Sequence, residues 1–388
     1  MNNFSYSLKT NIVFGRGQIK QLESLLKEAS VKRMLLVYGK ASIKNLGIYD
    51  DILDVTKKLN IPLFEESGVA ANPDLESVLS GQKTVQKENI DFILAAGGGS
   101  VLDCAKAIAY SYKLEASDVW DVLLNKKSFE EALPVGTILT LAATGSETNG
   151  NIVISNRKLK DKRSIASPKL VPKFSIIDPA YTLSVPKHHT IAGSIDIMMH
   201  IFEQYFSLEL DTSTSDYLSL GLLESVMENT DAILSGKDGY LVRANISWAA
   251  TIALSWLLQQ GKSGDWASHR LSYPFTADYG TTHGFALAIL QPAWMKVALK
   301  YKPELMEPRL KALGKRIYNE MDPLKVIERI KETLSSFGAA TSFKEANLEI
   351  DKEAMISMAK RTVALGPVGK IIPVDEEKAL EIYQAAKG

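Results

Sequence analysis

Short, nearly unbroken apolar runs alternate with amphipathic stretches through the first half of the chain. MLLVYG (34–39), FILAAGG (92–98), GTILTL (136–141) and SIIDP (175–179) carry little polar alternation. Strands covered on both faces read this way, whereas half-exposed strands alternate. After the first run, ASIKNLGIYDDILDVTKKLN places Ile43, Leu46, Ile48, Ile52, Leu53, Val55 and Leu59 at helical spacing, which predicts a helix over 41–60. A further helix is expected from Ser100. Strands alternating with helices imply βαβ units and a mostly parallel sheet.

From about Ser184 the period becomes helical and the segments lengthen, as in 190–206, 216–234 and 243–260. The pattern predicts an α/β domain over 1–183 and an all-helical domain over 184–388. Pro179 and Pro186 flank the switch. Length agrees, since 388 residues exceed what one core usually serves.

Charge narrows the partners. Lys+Arg and Asp+Glu both number 45, so nothing favours nucleic acid or an anionic membrane surface. The single cysteine, Cys104, excludes an internal disulfide and any zinc site built from several thiolates. The opening MNNFSYSLKTNIVF lacks the pattern of a signal peptide, and no apolar window is long enough to span a membrane. A cytoplasmic enzyme is expected.

Candidate chemistry begins at Gly97, Gly98, Gly99 and Ser100, where a buried strand passes into a helix. Ligands of open parallel sheets sit outside the carboxyl ends of strands. There, bare glycine backbone admits a phosphate, and the helix adds its positive N-terminal end. On this reading Ser100 is the N-cap. A tight strand-to-helix turn that binds nothing is the plain alternative, and the spacing is not the G-x-G-x-x-G fingerprint. At the end of the first run, YGKASIK (38–44) contains no carboxylate for a ribose 2′-hydroxyl but has Lys40, Ser42 and Lys44. Such donors suit a 2′-phosphate.

The five histidines are His188, His189, His200, His269 and His283. Asp196 and His200 are four residues apart in SIDIMMHIFEQ and share one face of an apolar helix. A buried carboxylate beside a buried imidazole needs a partner. From this helix alone, a hydrogen-bonded pair is the simpler reading and a metal the other. His269 and His283 also stand among apolar or small residues. Three imidazoles and one carboxylate suit Zn²⁺ or Fe²⁺ better than Ca²⁺ or Mg²⁺. His188 and His189, in PKHHT, read as surface or loop residues.

Together these segments resemble the iron-containing, or metal-dependent group III, alcohol dehydrogenase family over nearly the whole chain. Phe4, Tyr6, Thr10, Ile12, Phe14, Gly15 and Gly17 match its opening pattern, and Gly97–Ser100 with Asp103 match GGGS-x-x-D. TGSET (144–148), DPAYTLSVP (178–186), D-x-x-x-H and the two later histidines complete the match. The likeness is greatest to the NADPH-dependent butanol dehydrogenase and aldehyde reductase branch.

The resemblance implies a Rossmann-like domain followed by a helical domain, as in dehydroquinate synthase. It implies one divalent metal, Zn²⁺ or Fe²⁺, on Asp196, His200, His269 and His283. It implies NADP(H), with its pyrophosphate at Gly97, Gly98, Gly99 and Ser100 and its 2′-phosphate near Gly39, Lys40 and Ser42. Asn72 would lie towards the adenosine, and Thr140, Thr144, Asn149 and Lys162 along the nicotinamide half. A homodimer reducing a small aldehyde, or oxidising the alcohol, is expected. The metal would act as a Lewis acid, with Asp196 a ligand rather than a base.

One position departs from the family. Tyr273 stands four residues after His269, where the family usually has another histidine. Tyrosine donates a hydrogen bond but does not titrate near neutrality. Tyr273 and His269 are therefore the candidate catalytic pair, with proton handling altered. The rival readings are a glycerol dehydrogenase or dehydroquinate-synthase-like enzyme on the same fold, and a non-catalytic metal- or nucleotide-binding protein.

Overall fold

A computed structural model describes all 388 residues. The chain forms two compact units, one of Ser7–Pro186 with Gly239–Ser255, the other of Met1–Tyr6, Lys187–Asp238 and Trp256–Gly388. The expected division was contiguous at 183/184, and both Met1–Tyr6 and the internal segment Gly239–Ser255 depart from it. That segment carries the helix Tyr240–Ala253, which packs on the 3₁₀ turn Pro179–Ser184. It is also tied down by a buried hydrogen bond from Thr251 Oγ1 to Glu147 Oε1. Its apolar period is helical, and period alone does not say which neighbour a helix chooses.

The first unit is built on strands β1 (Asn11–Phe14), β2 (Met34–Tyr38), β3 (Leu63–Glu66), β4 (Phe92–Gly97), β5 (Val135–Leu139) and β8 (Phe174–Ile177). They form one six-stranded sheet in the order β1-β8-β5-β4-β2-β3, with every pairing parallel. All positions of β2, β4, β5 and β8 are buried. Alternate residues feed two cores. Leu35, Val37, Ile93 and Ala95 face one, and Met34, Leu36, Phe92, Leu94 and Ile176 the other. That double coverage is why these strands read as continuous apolar runs. Two further strands, β6 (Asn151–Asn156) and β7 (Asp161–Ala166), pair antiparallel as a separate hairpin.

The predicted helix over 41–60 is two helices, Ser42–Asn45 and Ile48–Leu59, broken at Gly47 with φ 75°. The helix expected over 243–260 ends at Ala253.

In the second unit, the helix Lys187–Tyr205 buries every residue from Thr190 to Tyr205. Two later helices, Ala267–Tyr279 and His283–Tyr301, pack with it in sequence, the last lying directly against it. The approach is closest at Gly284, where an added Cβ would sit 2.1 Å from Ala192 O. No helix is long and apolar enough to cross a membrane.

Candidate metal centre and nucleotide turn

Asp196 and His200 project from one face of the Lys187–Tyr205 helix, His269 from the first turn of Ala267–Tyr279, and His283 from the first residue of His283–Tyr301. Three imidazole nitrogens converge on one carboxylate oxygen. His200 Nε2 and His269 Nε2 are each 3.8 Å from Asp196 Oδ1, and His283 Nε2 is 3.7 Å from it. Asp196, His200 and His269 each place a ligand atom within 4.8 Å of the others.

These separations are too long for hydrogen bonds. They lie close to the roughly 3.4 Å between neighbouring ligand atoms around a tetrahedral ion with bonds of about 2.1 Å. Asp196 Oδ1 and His269 Nε2 are buried and have no hydrogen-bond partner. Such orphans are costly unless something pairs them. The residues therefore fit a divalent cation, and the hydrogen-bonded alternative for Asp196 and His200 does not describe the geometry. His283 is the most exposed of the four, with 27% of its side chain accessible, so the set is not sealed.

Electrostatics agree. Burial opposes charge on Asp196, yet His200, His283 and His269 hold its carboxyl far below the ordinary range. Burial likewise disfavours an imidazolium at His269, but the carboxylates of Asp196 and Glu203 outweigh it and push the group up to about 9.

Glu203 was not anticipated from the sequence. It is fully buried, and its Oε1 lies 3.0 Å from both His269 Nδ1 and His269 N. Its Oε2 accepts from Trp266 N at 2.6 Å. The signal was its place in D-x-x-x-H-x-x-E, on the same helix face as Asp196 and His200. The His283 ring is turned by a weaker contact, Nδ1 to Ser272 Oγ at 3.4 Å. Tyr273 sits one turn after His269 on the same helix, half-buried, with the Arg270 guanidinium over its ring. His188 and His189 are exposed, as expected, but stand in the first turn of a helix.

At the glycine turn, β4 ends at Gly97 and the helix runs Gly99–Ser111. The N-cap is Gly98 rather than Ser100, and no side chain caps it. The first amides of that helix therefore lack intrahelical acceptors. Ser100 Oγ instead accepts from Asn72 N, and Lys162 Nζ donates to Asn72 Oδ1. Ser100, Asn72 and Lys162 are thus linked in one hydrogen-bonded group, although the resemblance assigns Asn72 and Lys162 to different halves of the cofactor.

Two of the three glycines are also demanded by packing within the chain. A Cβ on Gly97 would lie 2.6 Å from Val101, and one on Gly99 would lie 2.4 Å from Thr144 Oγ1. On Gly98 it would meet only Leu141, at 3.2 Å. Thr140 N donates to Gly97 O, so Thr140 and Thr144 both border the turn.

Asn149 departs from expectation. Its amide donates to Gly145 O and to Leu254 O at the end of the Tyr240–Ala253 helix, and its Oδ1 accepts from Asn151 N, so its polar atoms are engaged within the protein. Behind the turn, Lys106 is fully buried and donates to Ser146 O, Ser146 Oγ and Asn149 O. Asp103 accepts from Ser146 Oγ and Val153 N. Burial lowers the Lys106 ammonium to about 8 and raises the Asp103 carboxyl. The matched Asp103 and TGSE residues thus brace the loop. Gly39 lies at the end of β2, and Lys40 and Ser42 are exposed beside it. The nearby Glu65 is clasped by the hydroxyls of Tyr38 and Tyr49, at 2.5 and 2.7 Å.

Comparison with known proteins follows the same lines. The profile of iron-containing alcohol dehydrogenases matches residues 9–179, and that of the C-terminal part of the Fe-containing alcohol dehydrogenase family matches residues 190–387. The chain is 39% identical to the probable NADH-dependent butanol dehydrogenase 1 of Bacillus subtilis, over the full length of both. It is 36% identical to the NADPH-dependent aldehyde reductase YqhD of Escherichia coli, over 82% of this chain and 81% of that one. The crystal structure of NADH-dependent butanol dehydrogenase A from Thermotoga maritima superposes with a TM-score of 0.94 at 36% identity, covering 100% of this chain and 99% of that one.

The chain belongs to the iron-containing alcohol dehydrogenase family. It is an oxidoreductase of the alcohol dehydrogenase and aldehyde reductase class, and its family implies a divalent metal and a nicotinamide cofactor.

Proposed function

We propose that this enzyme interconverts a small primary alcohol and its aldehyde, of the butanol–butanal kind, using NADP(H) and one Zn²⁺ or Fe²⁺ on Asp196, His200, His269 and His283. The observation that carries the reading is the convergence of three Nε2 atoms on Asp196 Oδ1, with buried orphan atoms facing one another. When bound, the metal supplies Lewis acidity at the substrate oxygen and the nicotinamide supplies or accepts hydride.

The chain's own groups do the rest. Gly98, Gly99 and Ser100 present amides to the pyrophosphate, with Gly97 shaping the turn. Asn72 and Lys162 extend that surface, and Thr140 and Thr144 line it. Asn149 supports the loop from behind. Asp196 stays ionised as a ligand, and Glu203 keeps the His269 ring turned with Nε2 inward. Tyr273, one turn after His269, offers a phenolic hydrogen-bond donor beside it.

Lys40 and Ser42, beside Gly39, favour the 2′-phosphate, and Glu65 is already occupied by two tyrosines. Relatives of both cofactor habits match, since one is named NADH-dependent and another NADPH-dependent. A homodimer in the cytoplasm rests on the family resemblance. The test is steady-state reduction of butanal with NADPH and NADH side by side. We expect kcat/KM at least about tenfold higher with NADPH, a difference of about 1.4 kcal/mol. Equal or higher efficiency with NADH would refute the cofactor assignment, and no turnover of butanal with either would refute the substrate class.

A further inference from the structure

Glu203 is connected to more than one ring. Its Oε1 lies 3.0 Å from both Nδ1 and the backbone nitrogen of His269, and its Oε2 takes the Trp266 N–H. Trp266 is the N-cap of the Ala267–Tyr279 helix and has φ 71°, a left-handed conformation that bulky residues rarely adopt. No side chain of the helix itself caps that end. The capping carboxylate comes instead from the Lys187–Tyr205 helix, three residues beyond His200 and seven beyond Asp196. Asp265 accepts from Ala267 N on the same terminus, and from Lys370 N and Ile371 N; its carboxylate feels the charge of Glu203 but makes none of the hydrogen bonds to the His269 ring.

We propose that Glu203 is a positioning residue that fixes both the tautomer and the placement of His269, and so sets the affinity of the metal centre. The proposal rests on the ligand assignment made above. With Nδ1–H donated to Glu203, the ring must offer Nε2 as its lone-pair nitrogen, and Nε2 is the atom facing Asp196 Oδ1. Through the Trp266 and His269 amides, the same carboxylate holds the helix start at that distance. One buried side chain thus joins the helix bearing two ligands to the helix bearing the third.

The test is a double-substitution cycle read by metal binding, not turnover. Co²⁺ and Zn²⁺ affinities are measured by chelator competition, with the visible absorption bands of bound Co²⁺ reporting its ligand field. Glu203→Gln keeps size and one carbonyl acceptor but removes the charge. It should weaken binding by about 10- to 100-fold and alter the Co²⁺ bands. In a His269→Ala background the ring is gone, and the same substitution should change affinity by less than about threefold.

Asp265→Asn perturbs the same helix terminus without removing a hydrogen bond to the ring and should alter affinity and the Co²⁺ bands less than Glu203→Gln does. Should Glu203→Gln fail to fold, Glu203→Asp serves in the same cycle, because it withdraws the carboxylate by one methylene. An equal loss in both backgrounds, no loss in either, or an Asp265→Asn effect equal to that of Glu203→Gln would overturn the proposal. His269→Ala binding Co²⁺ as tightly as the unsubstituted protein would overturn the ligand assignment, and the role of Glu203 with it.

Discussion

Gly98 is where a single side chain decides most. Gly97 and Gly99 are held to glycine by Val101 and Thr144, whereas a Cβ at Gly98 meets only Leu141. Gly98→Ala is therefore expected to fold, and on the proposed placement of the pyrophosphate its methyl would crowd the cofactor. Loss of one charge-assisted hydrogen bond, about 1.5–3 kcal/mol, corresponds to a rise in the KM for the nicotinamide cofactor of roughly tenfold or more. Metal content should not change. An unchanged KM in steady-state kinetics would remove Gly98 from the cofactor site. That Asp196, His200, His269 and His283 would come together could be expected from the sequence because histidines were few and stood in apolar settings. Glu203 was not anticipated: its spacing puts it on the helix face of Asp196 and His200, but nothing around it in the sequence shows that its carboxylate meets His269. The N-cap was misread at Ser100 because its hydroxyl is used by Asn72 rather than by its own helix.

Elements show the same division. β2, β4, β5 and β8 were visible because both faces are covered. The edge strands β1 and β3 are only partly buried, and the β6–β7 hairpin is half-exposed, so their apolar stretches are short, as in IVF (12–14) and IVI (152–154). Helix contacts carry two consequences. Gly284 lets the His283–Tyr301 helix touch the backbone of Lys187–Tyr205. Gly284→Ala should drive the two apart at a cost of about 1–3 kcal/mol or more. Lower thermal stability and reduced metal occupancy would show it, and normal values of both would mean the helices do not depend on that approach.

Glu209 ties the loop after the first of these helices to Ser207, Ser263 and Asn2. Burial opposes its charge, but those donors prevail and hold its carboxyl down to about 2. A depressed carboxyl contributes stability that is present above its unfolded value of 4.5 and lost as pH falls towards 2. The melting-temperature gap between the unsubstituted protein and Glu209→Gln should shrink across that window. A gap independent of pH between 5 and 2.5 would contradict the assignment.

Over the full chain, the parallel-sheet unit and the helical unit were both anticipated from the change of hydrophobic period near Ser184. The return of Gly239–Ser255 to the sheet-bearing unit was not, because it depends on the buried bond between Thr251 and Glu147. The glycine turn lies in one half of this division, and the cluster of Asp196, His200, His269 and His283 in the other. Both halves agree with a family match that runs from residue 9 to residue 387.

The most direct trial is elemental analysis of protein purified without chelators, for the unsubstituted chain and His200→Ala together, with turnover followed as metal is stripped and restored. The account predicts about one divalent ion per chain in the former, little in the latter, and activity that leaves and returns with the metal. Equal metal content in both proteins, or full turnover by thoroughly stripped enzyme, would contradict it.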